Sequence, residues 1–404
     1  MKQSKSILSN HHGVRDLQKL RALGKMLSVD DPYFRESDGV NSVHIQKDGR
    51  QLINYSSYNY LSLAGDARIN DAAKAAIDRY STSVSASRLV SGERAVHRSL
   101  ESAIAKAYGV DDAVTFVSGH STNVSMIGYL FDRHDLIVHD WLAHNSIMQG
   151  IRLSGATRLP FAHQNWGKLD EVLRKHRHKH RNALIIIEGL YSMDGDVSDL
   201  KTAIDIKKRH NAILMVDEAH SFGVLGQTGH GIAEQQGVDP LDVDIWMGTL
   251  SKTLVSCGGY VAGSRDLVDN LRHFCPGFLY SVGMAPATAA AALAALEIMQ
   301  AEPERVTRLQ AISDYFLRQA KGRGLDTASA QGFAIVPIMI GDERKAVELS
   351  NAVVERGINA LPMMYPSVPK GAARLRFFLS AEHSTEMIDT ALDVLEQSMR
   401  ELKI

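Results

Sequence analysis

The chain has 404 residues, with 45 lysines and arginines against 46 aspartates and glutamates, a formal charge of −1 that argues against nucleic acid or an anionic membrane as its main partner. Hydrophobic residues at 45% and charged residues at 23% are those of a globular protein long enough to bury a large core. Two cysteines, Cys257 and Cys275, cannot staple a fold of this size and suit a reducing, cytoplasmic setting, and residues 1–13 hold no secretory-type apolar run.

In chain order, Val14, Leu17, Leu20, Leu23 and Leu27 recur at helical spacing. A hairpin follows, with strands at 42–46 and 51–55 about the turn Lys47-Asp48-Gly49. From about Asp71 helical stretches at 72–80, 96–108, 169–176 and 200–210 alternate with short apolar runs at 113–117, 136–139, 183–187, 213–216 and 243–247. That alternation predicts an α/β fold with a mainly parallel sheet and crossover helices. The stretch 284–299 is alanine-rich and interrupted by Pro286 and Glu297, so it reads as a packed helix and not a membrane span. Beyond it the pattern becomes helix, strand (334–340), helix (345–356), two strands (the second 374–379) and helix (385–402), an α+β style. Three units follow: a helix-and-hairpin segment at 1–57, a large domain at 58–290, and a smaller C-terminal α+β domain at 291–404.

Ligands of doubly wound sheets bind at the carboxyl ends of the strands. Four polar runs fall there: Ser118-Gly119-His120-Ser121-Thr122-Asn123, Glu188 through Gly195, Asp217-Glu218-Ala219-His220-Ser221, and Gly248-Thr249-Leu250-Ser251-Lys252. An acid, an amine and a helix start rich in Gly, Ser and Thr match the needs of pyridoxal 5′-phosphate (PLP). Its aldehyde takes an amine, and burial makes a lysine such as Lys252 nucleophilic by lowering its pKa. Its ring nitrogen needs a facing carboxylate, for which Asp217 is suited. Its phosphate needs N–H groups at a helix N-terminus with hydroxyls nearby, offered by Gly119, His120, Thr249 and Ser251. The separation 252 − 217 = 35 leaves room for one crossover helix.

These runs, together with Tyr58-Asn59-Tyr60-Leu61, Tyr191-Ser192-Met193-Asp194-Gly195-Asp196, Arg374-Leu375-Arg376 and Ala381-Glu382-His383, resemble the α-oxoamine synthases over nearly the whole chain. These are fold-type I PLP enzymes that include serine palmitoyltransferase, 8-amino-7-oxononanoate synthase, 2-amino-3-ketobutyrate CoA ligase and 5-aminolevulinate synthase. The resemblance implies that residues 58–290 bind PLP, with Lys252 as the Schiff-base lysine and the base for the Cα proton. Asp217 would pair with the ring nitrogen, His220 and Ser192 would hold the phenolic oxygen, and His144, in Asp140-Trp141-Leu142-Ala143-His144-Asn145-Ser146, would stack on the ring. Gly119, His120, Thr249 and Ser251 would hold the phosphate, with Ser281 reaching the phosphate of a second subunit in a homodimer with shared sites. Arg376 would grip the carboxylate of the amino acid, a two-pronged task for which arginine is better shaped than lysine, and Asn59 would lie near substrate.

The implied reaction joins a small amino acid to an acyl thioester, borne by CoA or a carrier protein, with loss of carbon dioxide and release of a 2-amino ketone. Three features depart from the family pattern. Val84-Ser85-Ala86-Ser87-Arg88 replaces a Gly-rich run, as in autoinducer and polyketide-associated synthases, while His120 and Gly283 stand where an aromatic residue and a serine are common. The hydroxyls of Ser85 and Ser87 favour serine or alanine as the amino acid, because a polar pocket rewards a substrate hydroxyl, and the reading is serine palmitoyltransferase-like. The alternatives are 8-amino-7-oxononanoate synthase or 2-amino-3-ketobutyrate CoA ligase activity, or a fold-type I aminotransferase that needs no thioester. A regulatory subunit of the kind that lacks the Schiff-base lysine conflicts with Lys252. Any one Asp, Lys or His here is more often a cap, a solvated charge or a satisfied core residue, and only the joint pattern outweighs that. The run His176-Arg177-His178-Lys179-His180 is read as a solvated helix end, since histidines two apart share no helix face and cations intervene; no metal site is expected.

Overall fold

The computed structural model describes residues 7–27 and 29–404. Strands β1 (His44–Lys47) and β2 (Arg50–Asn54) form the expected hairpin, tightened to a two-residue loop in which both Asp48 (φ 51°) and Gly49 (φ 72°) are left-handed. Asp-Gly tolerates that geometry, and its twist matches the flanking strands. The third strand of this small sheet is distant in sequence. Ile358–Asn359 pairs with β2, so the hairpin of segment 1–57 is completed by a strand from the 291–404 region.

The central sheet has seven strands: β3 (Asp112–Phe116), β4 (Leu136–Asp140), β5 (Thr157–Phe161), β6 (Ala183–Glu188), β7 (Ile213–Asp217), β8 (Ile245–Thr249) and β9 (Gly259–Gly263), in the order β3-β9-β8-β7-β6-β4-β5. Its period-2 pattern divides one core between two faces. Ile185, Ile187, Leu214, Val216 and Trp246 point into one buried cluster, while Leu184, Ile186, Met215, Ile245 and Met247 point into the other. Each such side chain, removed from water on a doubly covered sheet, contributes about 1.5–3 kcal/mol of transfer free energy. All pairings are parallel except those of β9, which runs antiparallel between β3 and β8.

β9 escapes the sequence pattern because Gly-Tyr-Val-Ala-Gly has weak strand propensity. Gly259 is a matter of space: a Cβ there would come within 2.6 Å of the Gly119 Cα. Strand β5 and the helices Asn145–Ser154 and Arg265–Phe274 are also additions to the elements read from sequence. The helix Pro286–Ala301 packs on the helices Ala67–Tyr80 and Ala95–Tyr108 and spans the 290/291 division. A third sheet, β10 (Ile335–Gly341), β12 (Pro362–Met363) and β13 (Ala373–Phe378), is ordered β10-β13-β12 once Ile358–Asn359 is counted as β11. Thr385–Leu402 closes the C-terminal region. Among the described residues no helix is long and apolar enough to cross a membrane.

Candidate active site

The carboxyl ends of β4, β6, β7 and β8 converge, and the polar runs that follow them meet. Asp217, the last residue of β7, is 4% exposed and fully engaged: Ala219 N–H donates to Oδ1 at 2.9 Å and Asn123 Nδ2 donates to Oδ2 at 2.9 Å. The same Asn123 amide donates to Ser146 Oγ at 3.0 Å, and that hydroxyl lies 2.7 Å from His144 Nδ1. The Ser146 backbone N–H also points at Nδ1, at 3.3 Å, with His144 capping the helix Asn145–Ser154. A nitrogen that accepts twice carries no proton, so this network assigns His144 the neutral tautomer protonated at Nε2. Burial, with Lys252, His120 and Arg376 nearby, holds the His144 pKa below the ordinary histidine range despite Asp217.

Lys252 follows β8 in the turn where the chain reverses into β9. Its Nζ lies 5.7 Å from the centroid of the Tyr58 ring. Desolvation lowers its pKa from 10.5 to about 8, Arg376 adds to that effect, and Asp217, with Glu188 only to the extent that it ionises, opposes it. His220 is buried, with Nδ1 2.7 Å from the Tyr60 hydroxyl and its ring parallel to that of Phe378. Desolvation and the cations Lys252 and Arg376 push its pKa well below the usual value, which leaves a neutral donor–acceptor ring.

Gly119 opens the twelve-residue helix Gly119–Leu130, capped by Ser118, whose Oγ accepts from Ser121 N–H at 3.1 Å. A Cβ at Gly119 would lie 2.7 Å from Thr249 Oγ1, so glycine lets the helix start abut the end of β8. Thr249 Oγ1 and Ser251 Oγ are 2.8 Å apart beside it. Helix N–H groups and two hydroxyls form an anion cradle of the kind that binds phosphate. The exposed His120 ring stands edge-on to that of His144, centroids 6.5 Å apart.

Arg376 arrives from β13. Its guanidinium lies 4.3 Å from the centroid of Phe378, and Nη1 donates to Ser192 O at 2.8 Å, while Nε is buried without a partner. An unpaired donor on a buried guanidinium is costly unless an anion completes it. Burial presses its pKa down, but arginine remains charged. Ser192 enters through its carbonyl as the tether for Arg376. Asn59 serves its own turn: Oδ1 accepts from Leu63 N–H (2.8 Å) and Ala64 N–H (3.1 Å), and Nδ2 donates to Asn41 O at 3.3 Å. That turn carries Tyr58 and Tyr60 into the site. Ser281 stands apart, its Oγ donating to Val282 O at 3.2 Å in a crevice lined by Arg88, Phe278 and Gly283. It makes no contact with the Lys252 cluster among the described residues.

Glu188, quoted from the sequence without a role, is central. It ends β6 in register with Asp217 and accepts the His144 backbone N–H at 2.7 Å. A lone carboxyl terminating the apolar run Ala183-Leu184-Ile185-Ile186-Ile187 was the available signal. Asn123 and Tyr58 were likewise present in the quoted motifs, but nothing local assigns them.

The model of the aminotransferase class I and II family matches residues 50–395. The 8-amino-7-oxononanoate synthase of Symbiobacterium thermophilum is 39% identical over 355 residues, 88% of this chain and 90% of that protein. The chain belongs to the α-oxoamine synthase family. In structure it resembles the Sphingomonas wittichii serine palmitoyltransferase (TM-score 0.93, 29% identity, 98% of this chain and 99% of the other). It also resembles an SPT solved with PLP (TM-score 0.92, 28% identity, 99% and 100%). The protein is a fold-type I, PLP-dependent acyltransferase that joins an amino acid to an acyl thioester, and the donor set fits the cofactor: a low-pKa amine after β8, a buried acid at the end of β7 and an anion cradle where the helix after β3 abuts β8.

Proposed function

We propose that the chain condenses alanine with the monothioester of a seven-carbon dicarboxylic acid, releasing carbon dioxide, the free thiol of CoA or a carrier protein, and 8-amino-7-oxononanoate. Support comes from the 39% identity to an enzyme of that name, against 29% to serine palmitoyltransferase. The likeness favours the first alternative read from sequence over the serine palmitoyltransferase-like reading. The carbon count then fixes the substrates. C8, with its amino group, and the C9 methyl are an amino acid that has lost its carboxylate and kept a one-carbon side chain, which is alanine; C1 to C7 come from the acyl donor.

The observation that carries the reaction is the meeting of Lys252, Asp217 and Arg376, the acid and the guanidinium both near enough to act on the Lys252 amine. When bound, PLP supplies an electron sink for the Cα carbanion of the amino acid. Asp217, which accepts from two N–H donors, would be the carboxyl group set opposite the ring nitrogen. Neutral Lys252 Nζ accepts the Cα proton, and Arg376 uses its open Nε to fix the substrate carboxylate. Holding that carboxylate aligns the breaking bond, which is catalysis by orientation. The neutral rings of His144 and His220 add no cation that would compete for the carboxylate.

We also place Ser281 at an interface between two copies of the chain. Exposed Leu89, Val90, Phe274, Tyr280 and Val282 lie on the neighbouring elements, apolar side chains that a second copy would cover. The test of substrate is a spectral titration of PLP-loaded protein with glycine, alanine and serine, followed by carbon dioxide release from a panel of CoA and carrier-bound thioesters. Alanine with a seven-carbon ω-carboxyacyl thioester should turn over best. Preference for serine with a long uncharged chain would return the serine palmitoyltransferase-like reading, and keto-acid-dependent amino exchange without thioester would indicate an aminotransferase.

A further inference from the structure

We propose that Glu188 is a positioning residue for His144, clamping its backbone N–H from the register position beside Asp217 and so setting where the imidazole meets the cofactor. The inference rests on the PLP-dependent reading of the site and adds to it a residue with no assigned role.

The clamp is built on a rigid strand end. Ser198 Oγ donates to Glu188 O at 2.8 Å, Gly189 N–H donates to Asp217 O at 2.9 Å, and Glu188 is 4% exposed. From there Oε1 takes the His144 N–H at 2.7 Å, while the His144 side chain is held from the other side through Ser146, Asn123 and Asp217. The two ties close a loop: β6 holds the main chain of His144 and β7 holds its ring. Removing either leaves the ring hinged on one support.

The carboxyl that makes the clamp is uncharged. Asp217 on β7 and Asp140 at the end of β4 face it, and burial with these two acids raises its pKa far above the ordinary range, more than Lys252 and the His144 N–H lower it. Asp140 is in turn paired with His163, which moderates its field. Two carboxyls in register on adjacent strands do not both ionise in a buried site. Two N–H groups already point at Asp217, whereas Glu188 receives the one from His144. Glu188 therefore provides an acceptor without adding a second anion that would hold Lys252 protonated.

The test compares wild type, Glu188→Ala and Glu188→Gln, each loaded with PLP, using whichever of glycine, alanine or serine perturbs the visible band of the wild-type protein. The alanine variant should weaken amino-acid affinity roughly tenfold, the factor expected for one lost buried hydrogen bond, with a smaller change in kcat. The glutamine variant keeps the acceptor and should restore affinity to within about twofold. It should also leave the pH midpoint of the cofactor band within ~0.3 units of wild type. An alanine variant with wild-type affinity removes the positioning role, and a glutamine variant whose midpoint falls by about one unit shows that Glu188 is anionic; either result overturns the proposal. Should Glu188→Ala not fold, the glutamine midpoint alone decides. Wild-type protein that takes up no PLP would instead overturn the functional reading itself.

Discussion

Lys252 should titrate far below the surface lysines. Burial takes its pKa from 10.5 to about 8, so at pH 8 half of the amine is neutral, whereas a solvent lysine is about 0.3% neutral. The nucleophile is enriched roughly 150-fold at that pH by desolvation of one side chain. The same shift has a stability cost with a definite sign. Between pH 8 and 10.5 the unfolded chain keeps a proton that the folded site has lost, so cofactor-free protein gains stability as pH rises through that window. The gain is no more than about 3 kcal/mol, and below pH 8 the folded state bears that penalty in full. Stopped-flow uptake of PLP by the cofactor-free protein from pH 6 to 10.5, with Lys252→Ala as the blank, measures the amine directly. The rate should level off above about pH 8.5. A rate that climbs tenfold per unit through pH 9 and 10 would refute the argument, as would a cofactor-free Lys252→Met protein no more stable than wild type at pH 7.

His163 bridges Asp140 and Asp196 at 2.9 and 2.8 Å, and their two hydrogen bonds raise its pKa from 6.5 to about 10. Its contribution is complete below pH 6.5 and fades as pH rises through 10; with solvent screening of the part-exposed ring, denaturant melts of His163→Gln should show a loss of about 1–3 kcal/mol at pH 6 that narrows at pH 10. Gly119→Ala places a Cβ 2.7 Å from Thr249 Oγ1 and 2.9 Å from its Cβ, and equilibrium dialysis should find PLP binding weakened roughly ten- to hundredfold. Gly283→Ser puts a Cβ 2.9 Å from Val84 Cγ2 and 3.0 Å from Arg88 Cγ, an overpacking of about 1–3 kcal/mol visible as a lower Tm. Adding Val84→Gly should recover part of that loss, since the two sites share one space.

That last pair shows how two departures noted separately in the sequence become one feature of the structure. Gly283 donates its N–H to Ala86 O at 3.0 Å and packs on Val84, so the bulkier 84–88 segment and the missing serine side chain compensate each other. A single sequence shows both residues and gives no sign that they touch, because contact between positions some 200 apart leaves no local periodicity.

The sequence by itself determined what depends on short range. Short apolar runs alternating with helical stretches located most of the central sheet, and the polar residues ending those runs are those that gather in the site: Asp217, His220, Thr249, Ser251 and Lys252. Their spacing follows from the rule that a parallel strand ends where a ligand binds. Tertiary structure alone decided which strand ends are neighbours. It inserted the glycine-rich β9 against β8, where Gly259 lets the helix opened by Gly119 approach. It carried Arg376 from β13 to the Ser192 carbonyl, turned Asn59 toward its own backbone, and set Glu188 in register with Asp217. The reason is physical. Side-chain pattern reports whether a residue faces water or core, a local property, whereas ionisation and hydrogen bonding depend on which charges and dipoles lie within a few ångströms, and only the packed chain fixes those distances.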